Sequence, residues 1–217
     1  MSVQKEAPEH ITELGNPRKP QGEYGRQMLF RMNESHSEVT EWGLGFSEPA
    51  PHHSVLDIGC GGGAALARMA GLVTTGHLTG VDYSAVSVQT ARELNAEAVS
   101  AGRMEILEAS VEALPFSDDS FDRIITVESF YFWPSPKENL NEVLRVLKHG
   151  GVFLLIADIF ECEALTLQER ENIEKYQLFN PTPDTFRSLF EAAGFTAVQV
   201  HLRDDGKTWI CVEGRKA

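Results

Sequence analysis

The chain has few of the features that would commit it to a metal, a membrane or a nucleic acid. Of its 217 residues only three are cysteine. Cys60, Cys162 and Cys211 lie far apart, are odd in number and show no metal-ligand spacing. The expectation is free thiols in a reducing compartment and no metal site. Long apolar runs are missing too: the longest, Val152–Ala157, falls far short of the roughly 20 residues a helix needs to span a bilayer. Met1–Gln21 is polar and interrupted by Pro8, Pro17 and Pro20, unlike a signal peptide. Basic residues are scarce, with 19 Lys and Arg against 32 Asp and Glu and a formal charge of −13. That field repels phosphate backbones, and the densest basic cluster, Arg18-Lys19-Pro20, is short. Neither a nucleic acid nor a membrane is expected as partner, and the cytoplasm is the expected location. Internal repeats and low-complexity segments are also absent.

What is present is ordinary globular composition, 42% apolar and 24% charged, in a chain long enough to bury a core without staples. Residues 1–21 read as a flexible or loosely docked arm and 22–217 as one domain, with a helical lid over 22–48 and a core over 53–217. In the lid, Met28, Leu29, Met32, Val39, Trp42 and Leu44 recur at a broken helical spacing that predicts two short helices. Strands are predicted at Ser54–Ile58, His77–Val81, Met104–Leu107, Phe121–Val127 and Val152–Ala157, with helices at Ala64–Ala70, Ser84–Ser100 and Pro136–Leu147. Helices at Leu165–Tyr176 and Pro183–Ala193 precede two last strands, Thr196–Leu202 and Thr208–Glu213. Such alternation predicts an α/β, Rossmann-like, doubly wound sheet of seven strands with helices on both faces. Only Arg203–Gly206 separates the last two strands, which suits a hairpin. The sheet should therefore be mostly parallel, with one antiparallel strand near the C-terminus.

In such a sheet a ligand sits beyond the C-terminal strand ends, where the strand order reverses. The first strand runs into Asp57-Ile58-Gly59-Cys60-Gly61-Gly62-Gly63. Glycines admit a ligand close to the backbone, and the following helix N-terminus carries a partial positive charge. Alone, this pattern fits NAD, FAD, a nucleotide or a tight turn. Asp57 narrows it, because a carboxylate here repels a pyrophosphate but suits an ammonium. Asp82, ending the next strand, can accept both ribose hydroxyls of an adenosine. Cys60 reads as a small packing residue.

These segments resemble the class I S-adenosylmethionine-dependent methyltransferases. Asp57–Gly63 is similar to their glycine motif, Val81-Asp82-Tyr83-Ser84 to their ribose-binding segment, and Leu114–Asp122 to the approach to their fourth strand. Leu144–Gly151 resembles their turn into the fifth strand, with His149 where proline is usual. The resemblance implies S-adenosyl-L-methionine as cofactor and methyl transfer to a small-molecule acceptor by in-line displacement. It implies that Asp57, Gly59 and Gly61 hold the methionine part, Asp82 the ribose, and Tyr83 the adenine face. Ser110 stands where the family usually has an Asp, so the adenine N6 contact is weakened, while the Val111 amide still serves N1. Glu128 should lie beside the methyl group or the methionine end.

For the acceptor side, the lid carries Tyr24, Met28, Asn33, His36 and Trp42, and the catalytic candidates are His36, as a base on the lid, and Tyr131, in the aromatic stretch Phe130–Trp133. The alternative is that Asn33 caps a helix, that His36 is a surface residue, and that Phe130 or Phe132 belongs to the core. Glu128, Asp158, Glu161 and Glu163 would give the mouth a negative field. Two other functions remain open at this stage: a nicotinamide-dependent oxidoreductase, and a non-catalytic cofactor-binding module.

Overall fold

The computed structural model describes residues 8–217. The first seven residues of the expected arm lie outside the described residues. Within the remainder of that arm the structure differs from the expectation. Pro8–Gly15 is a helix, α1, and residues 16–21 form a strap docked on the core. The segment over 22–48 contains two helices as predicted, α2 (Gly22–Ser35) and α3 (Ser37–Leu44).

The core follows as β1 (Ser54–Ile58), α4 (Ala64–Met69), β2 (His77–Asp82), α5 (Ala85–Leu94), α6 (Ala96–Ser100), β3 (Met104–Glu108) and β4 (Phe121–Val127). Then come α7 (Pro136–Val146), β5 (Leu147–Ala157), α8 (Leu167–Tyr176), α9 (Pro183–Ala193), β6 (Thr196–Leu202) and β7 (Ile210–Arg215). The seven strands are ordered β3-β2-β1-β4-β5-β7-β6. All pairs are parallel except those of β7, which runs antiparallel between β5 and β6. The last strand of the chain is therefore inserted beside β5, and β6 takes the edge.

Period-two alternation divides the core into two layers. Leu56, Ile58, Ile124, Phe153 and Leu155 face α7 and α9, where Phe153 stacks on Phe190 with ring centroids 5.3 Å apart. Val55, Ile125, Val152, Leu154 and Ile156 face the other way, toward α3, α4 and α5. Central strands covered on both faces need continuous apolar sequence, which is why β5 reads Val152-Phe153-Leu154-Leu155-Ile156-Ala157. The lid is anchored on the second layer by close approach. A Cβ at Gly43 of α3 would stand 2.6 Å from the Ile156 side chain.

Two element boundaries differ from the expectation for identifiable reasons. The helix expected over Ser84–Ser100 breaks at Asn95, whose buried amide donates to the carbonyls of Gly63 (3.1 Å) and Ala91 (2.9 Å). A local polar bond thus overrides helix propensity. β5 starts earlier than expected, because Leu147 already pairs with Phe121 before the ladder shifts and resumes at Arg123↔Val152.

Candidate functional site

Strand order reverses between β1 and β4, and a cavity of about 330 Å³ opens there at the strand ends. That lies within the roughly 300–1,000 Å³ usual for small-molecule sites. Asp57, Gly59, Gly61, Asp82, Tyr83, Ser110, Val111 and Glu128 all line it. Asp57, Asp82 and Glu128 converge because each ends, or lies at the end of, a strand of one parallel sheet. The turn after β1 is tied to β2: the amides of Gly59 and Cys60 donate to the Val81 carbonyl at 2.8 and 3.0 Å. Gly59 is at φ +72°, and a Cβ there would overlap the Ser129 side chain. A side chain at this position is excluded both by conformation and by space.

Asp57 is 1% exposed, and neither carboxylate oxygen has a hydrogen-bond partner among the described residues. Burial, and secondarily the charge of Asp82, pushes its carboxyl up to about 8. A buried acid left without donors is costly, and a ligand ammonium at the cavity floor would supply the missing partner. Asp82 is arranged differently. Its Oδ2 accepts the Gly61 amide at 3.0 Å and its Oδ1 the Ser84 amide at 2.9 Å. Burial raises this carboxyl and these two bonds oppose the rise. Each oxygen keeps a lone pair for a further donor. An orphaned acid, a two-acceptor acid and a glycine cradle in one cavity fit an amino-acid–adenosine cofactor.

Tyr83 lies at the cavity rim, its hydroxyl donating to the Arg18 carbonyl, and the Lys19 ammonium lies 5.2 Å from its ring centroid. The strap continues across. Ser84 Oγ donates to the Pro20 carbonyl at 2.6 Å, and the Arg18 guanidinium donates to the carbonyls of Phe132 and Gln177, each at 3.2 Å. Sequence reasoning missed this strap. Its one signal was the Arg18-Lys19 pair, which reads equally well as a solvated basic cluster. Ser110 Oγ accepts the Glu112 amide at 3.2 Å and forms a local turn beside Val111.

A second cavity of about 280 Å³ adjoins the first, walled by α2, α8 and the ends of β4 and β5. Met32, His36, Glu128 and Phe132 line both cavities, and Tyr131, Asp158, Glu169 and Tyr176 line the second. His36 stands between α2 and α3 with its side chain 24% exposed. It is therefore not the surface residue of the alternative view. Burial pulls its imidazole below the ordinary range, aided by Arg31 and opposed by Asp158. Asn33 caps no helix; it lies inside α2 and donates to the Gly62 carbonyl at 3.3 Å. Glu128 has a left-handed backbone, φ +54°, and is 6% exposed. Tyr131 donates its hydroxyl to Glu128, and burial pushes that phenol well above its ordinary range.

Other expected participants lie elsewhere. Trp42 packs on Phe46 and Trp209, at centroid distances of 5.1 and 6.0 Å, away from both cavities. Phe130 is core, 2% exposed, whereas Phe132 faces the crevice. Glu161 pairs with Arg170 at 3.4 Å, and neither it nor Glu163 lines either cavity. The negative groups at the mouth are Glu128, Asp158 and Glu169 instead. All three cysteines are free. No helix among the described residues is long and apolar enough to cross a membrane.

Known proteins resemble this chain in sequence and fold. A family model described as a methyltransferase domain matches residues 56–155. A 2-methyl-6-phytyl-1,4-hydroquinone methyltransferase of Oryza sativa subsp. japonica is 32% identical over 70% of this chain and 45% of its own length. An O-methyltransferase of Penicillium expansum is 30% identical over 70% of this chain and 55% of its own. The chain thus spans about half the length of these curated relatives. Among solved structures, a Haemonchus contortus phosphoethanolamine N-methyltransferase in complex with S-adenosyl-L-methionine superposes with a TM-score of 0.77, at 14% identity. That match covers 100% of this chain and 61% of the other, and the likeness is one of fold. Residues 56–155 thus match a methyltransferase domain, and with the glycine turn, Asp57 and Asp82 the chain is similar to methyltransferases and shares the fold of one that binds S-adenosyl-L-methionine.

Proposed function

We propose that this protein transfers the methyl group of S-adenosylmethionine to a small molecule seated in the second cavity, with His36 as the base. The observation that carries this reading is that His36 and Glu128 line both cavities, at the boundary a transferred methyl must cross. The bound cofactor supplies an electrophilic sulfonium methyl and needs no activation from the protein. What the chain supplies is placement and, for a protonated nucleophile, a proton acceptor.

In this reading Asp57 takes the cofactor ammonium, with Gly59 and Gly61 leaving room for the methionine part. Asp82 accepts the ribose hydroxyls, while Tyr83 and the Val111 amide meet the adenine and Ser110 leaves N6 without an acid partner. Glu128 stands at the methyl end. Tyr131 holds Glu128 in place rather than meeting the acceptor, because its hydroxyl is committed to that carboxylate. The free thiols and the net charge of −13 support a cytoplasmic protein without a nucleic-acid partner.

Calorimetric titration with S-adenosylmethionine, S-adenosylhomocysteine and NAD tests the cofactor site. Micromolar binding of the first two and none of NAD is expected, whereas binding of NAD alone would overturn the assignment. Turnover of methyl-labelled S-adenosylmethionine over a panel of phenols and amines then separates an enzyme from a binding module. Asp82→Ala should weaken cofactor binding by about 1–3 kcal/mol through the lost ribose bonds. Unchanged affinity in the folded variant would remove Asp82 from the site.

A further inference from the structure

Around Glu128, on the acceptor side, lies a half-buried group that methyl transfer alone does not call for. His36 from the α2–α3 junction, Glu128 after β4 and Asp158 after β5 bring one side-chain donor atom each within 4.8 Å of one another. Glu128 is the fixed member. Its Oε1 accepts the Asp158 amide at 2.5 Å, and its Oε2 accepts the Tyr131 hydroxyl and lies 3.8 Å from His36 Nε2. Tyr131 is anchored in turn, its carbonyl accepting the Phe179 amide at 3.0 Å. The Asp158 carboxyl lies within 4.8 Å of the Glu128 carboxyl, and two carboxyls this close cannot both ionise cheaply. The other charged groups facing this cluster are Arg31 of α2 and Glu169 of α8.

We propose that His36, Glu128 and Asp158 form one proton-sharing unit, in which Glu128 is the fixed counter-charge and His36 and Asp158 hold one proton between them. The catalytic meaning of the unit rests on the reading that the acceptor lies against His36. The proton leaving the acceptor's heteroatom passes to the imidazole, and the acceptor keeps the bonding pair. The imidazolium then lies against Glu128, so no charge has to be solvated by bulk water. Glu128 and Asp158 are positioning residues in this scheme, since both act through His36. The arrangement also accounts for the left-handed backbone at Glu128. That strain directs one carboxylate at the β5 end and at the imidazole together.

Carbon and nitrogen NMR of the cofactor-free protein, labelled in His and Asp, tests the proposal without any acceptor. In the wild type, the His36 imidazole and the Asp158 carboxyl should titrate with one shared midpoint. Glu128→Gln and Asp158→Asn should each change the proton affinity of His36 by less than about threefold, because the remaining carboxylate takes over. The double variant should lower it by about tenfold or more. An unchanged His36 in the folded double variant would overturn the proposal. So would an Asp158 that titrates independently in the ordinary carboxylate range, a wild-type measurement that stands even if the double variant does not fold. Loss of the His36 signal on adding one equivalent of Mn2+ would overturn it in favour of a cation site. Wild-type methyl transfer by His36→Ala would instead remove the acceptor reading and leave the shared titration intact.

Discussion

Asp57→Asn is expected to make the cofactor-free protein more stable near pH 8 while weakening its binding of S-adenosylmethionine. The wild-type carboxyl is buried without a donor among the described residues and is pushed up to about 8. In the unfolded chain it ionises near 3.9. Below about pH 4 both states hold the proton and the group costs nothing through ionisation. As pH rises from there toward 8, the unfolded state loses the proton first, and stability drains by about 1.4 kcal/mol per pH unit. The carboxamide cannot ionise, so the variant lacks that slope and should gain several kcal/mol over the wild type in the upper part of the window. Binding moves the opposite way, because the amide is a poor partner for an ammonium. Urea unfolding of both proteins at about pH 5 and pH 8, with S-adenosylhomocysteine calorimetry at each, reads both effects. A cofactor-free variant less stable than wild type at the higher pH would mean that the carboxylate already has a partner, and the ammonium assignment would fail.

The second large effect is expected from His36→Ala. The imidazole is held below its ordinary range chiefly by burial, so at neutral pH it is unprotonated and able to take a proton. General-base catalysis contributes typically 10²–10⁴-fold, and loss of the side chain should slow methyl transfer by about a hundredfold or more. Cofactor affinity should change little, because Asp57 and Asp82 line the first cavity and not the second. An acceptor that arrives already deprotonated gains nothing from a base, so rate and acceptor pKa should be measured together. Undiminished transfer to a phenol or amine that is protonated at the assay pH would exclude His36 as the base. A hundredfold loss that shrinks as the acceptor becomes more acidic would identify proton removal as the missing step.

The cofactor side was legible because its determinants are local. In a doubly wound sheet, strand C-termini converge wherever the order reverses, so an acid at the end of β1 and another at the end of β2 must meet the same cavity. Asp57 and Asp82 therefore declared themselves by position alone, and the glycine turn between β1 and α4 announced where the backbone would admit a ligand. The hairpin of β6 and β7 was equally plain from the short linker, although nothing local showed that β7 would insert against β5. That placement is decided by Leu154, Leu155 and Ile156 needing a partner strand on their open edge. On the acceptor side the sequence named His36, Glu128 and Asp158 singly, but not their meeting, for the opposite reason. His36, Glu128 and Asp158 sit on three separate elements, and each alone reads as a polar residue at an element end. Trp42, the most conspicuous lid aromatic, turned away toward Trp209 because α3 must bring Gly43 against Ile156. The strap read as mobile or only loosely docked because its order comes from Arg18, Tyr83 and Ser84 bonding across the fold, not from its own composition. The sequence by itself thus determined the sheet, the turn and the two acids that line the first cavity, since periodicity and strand ends set these locally. Only the tertiary structure decided what lies opposite them, because the strap, the second cavity and the half-buried His36–Glu128–Asp158 cluster exist only through contacts between segments distant in the chain.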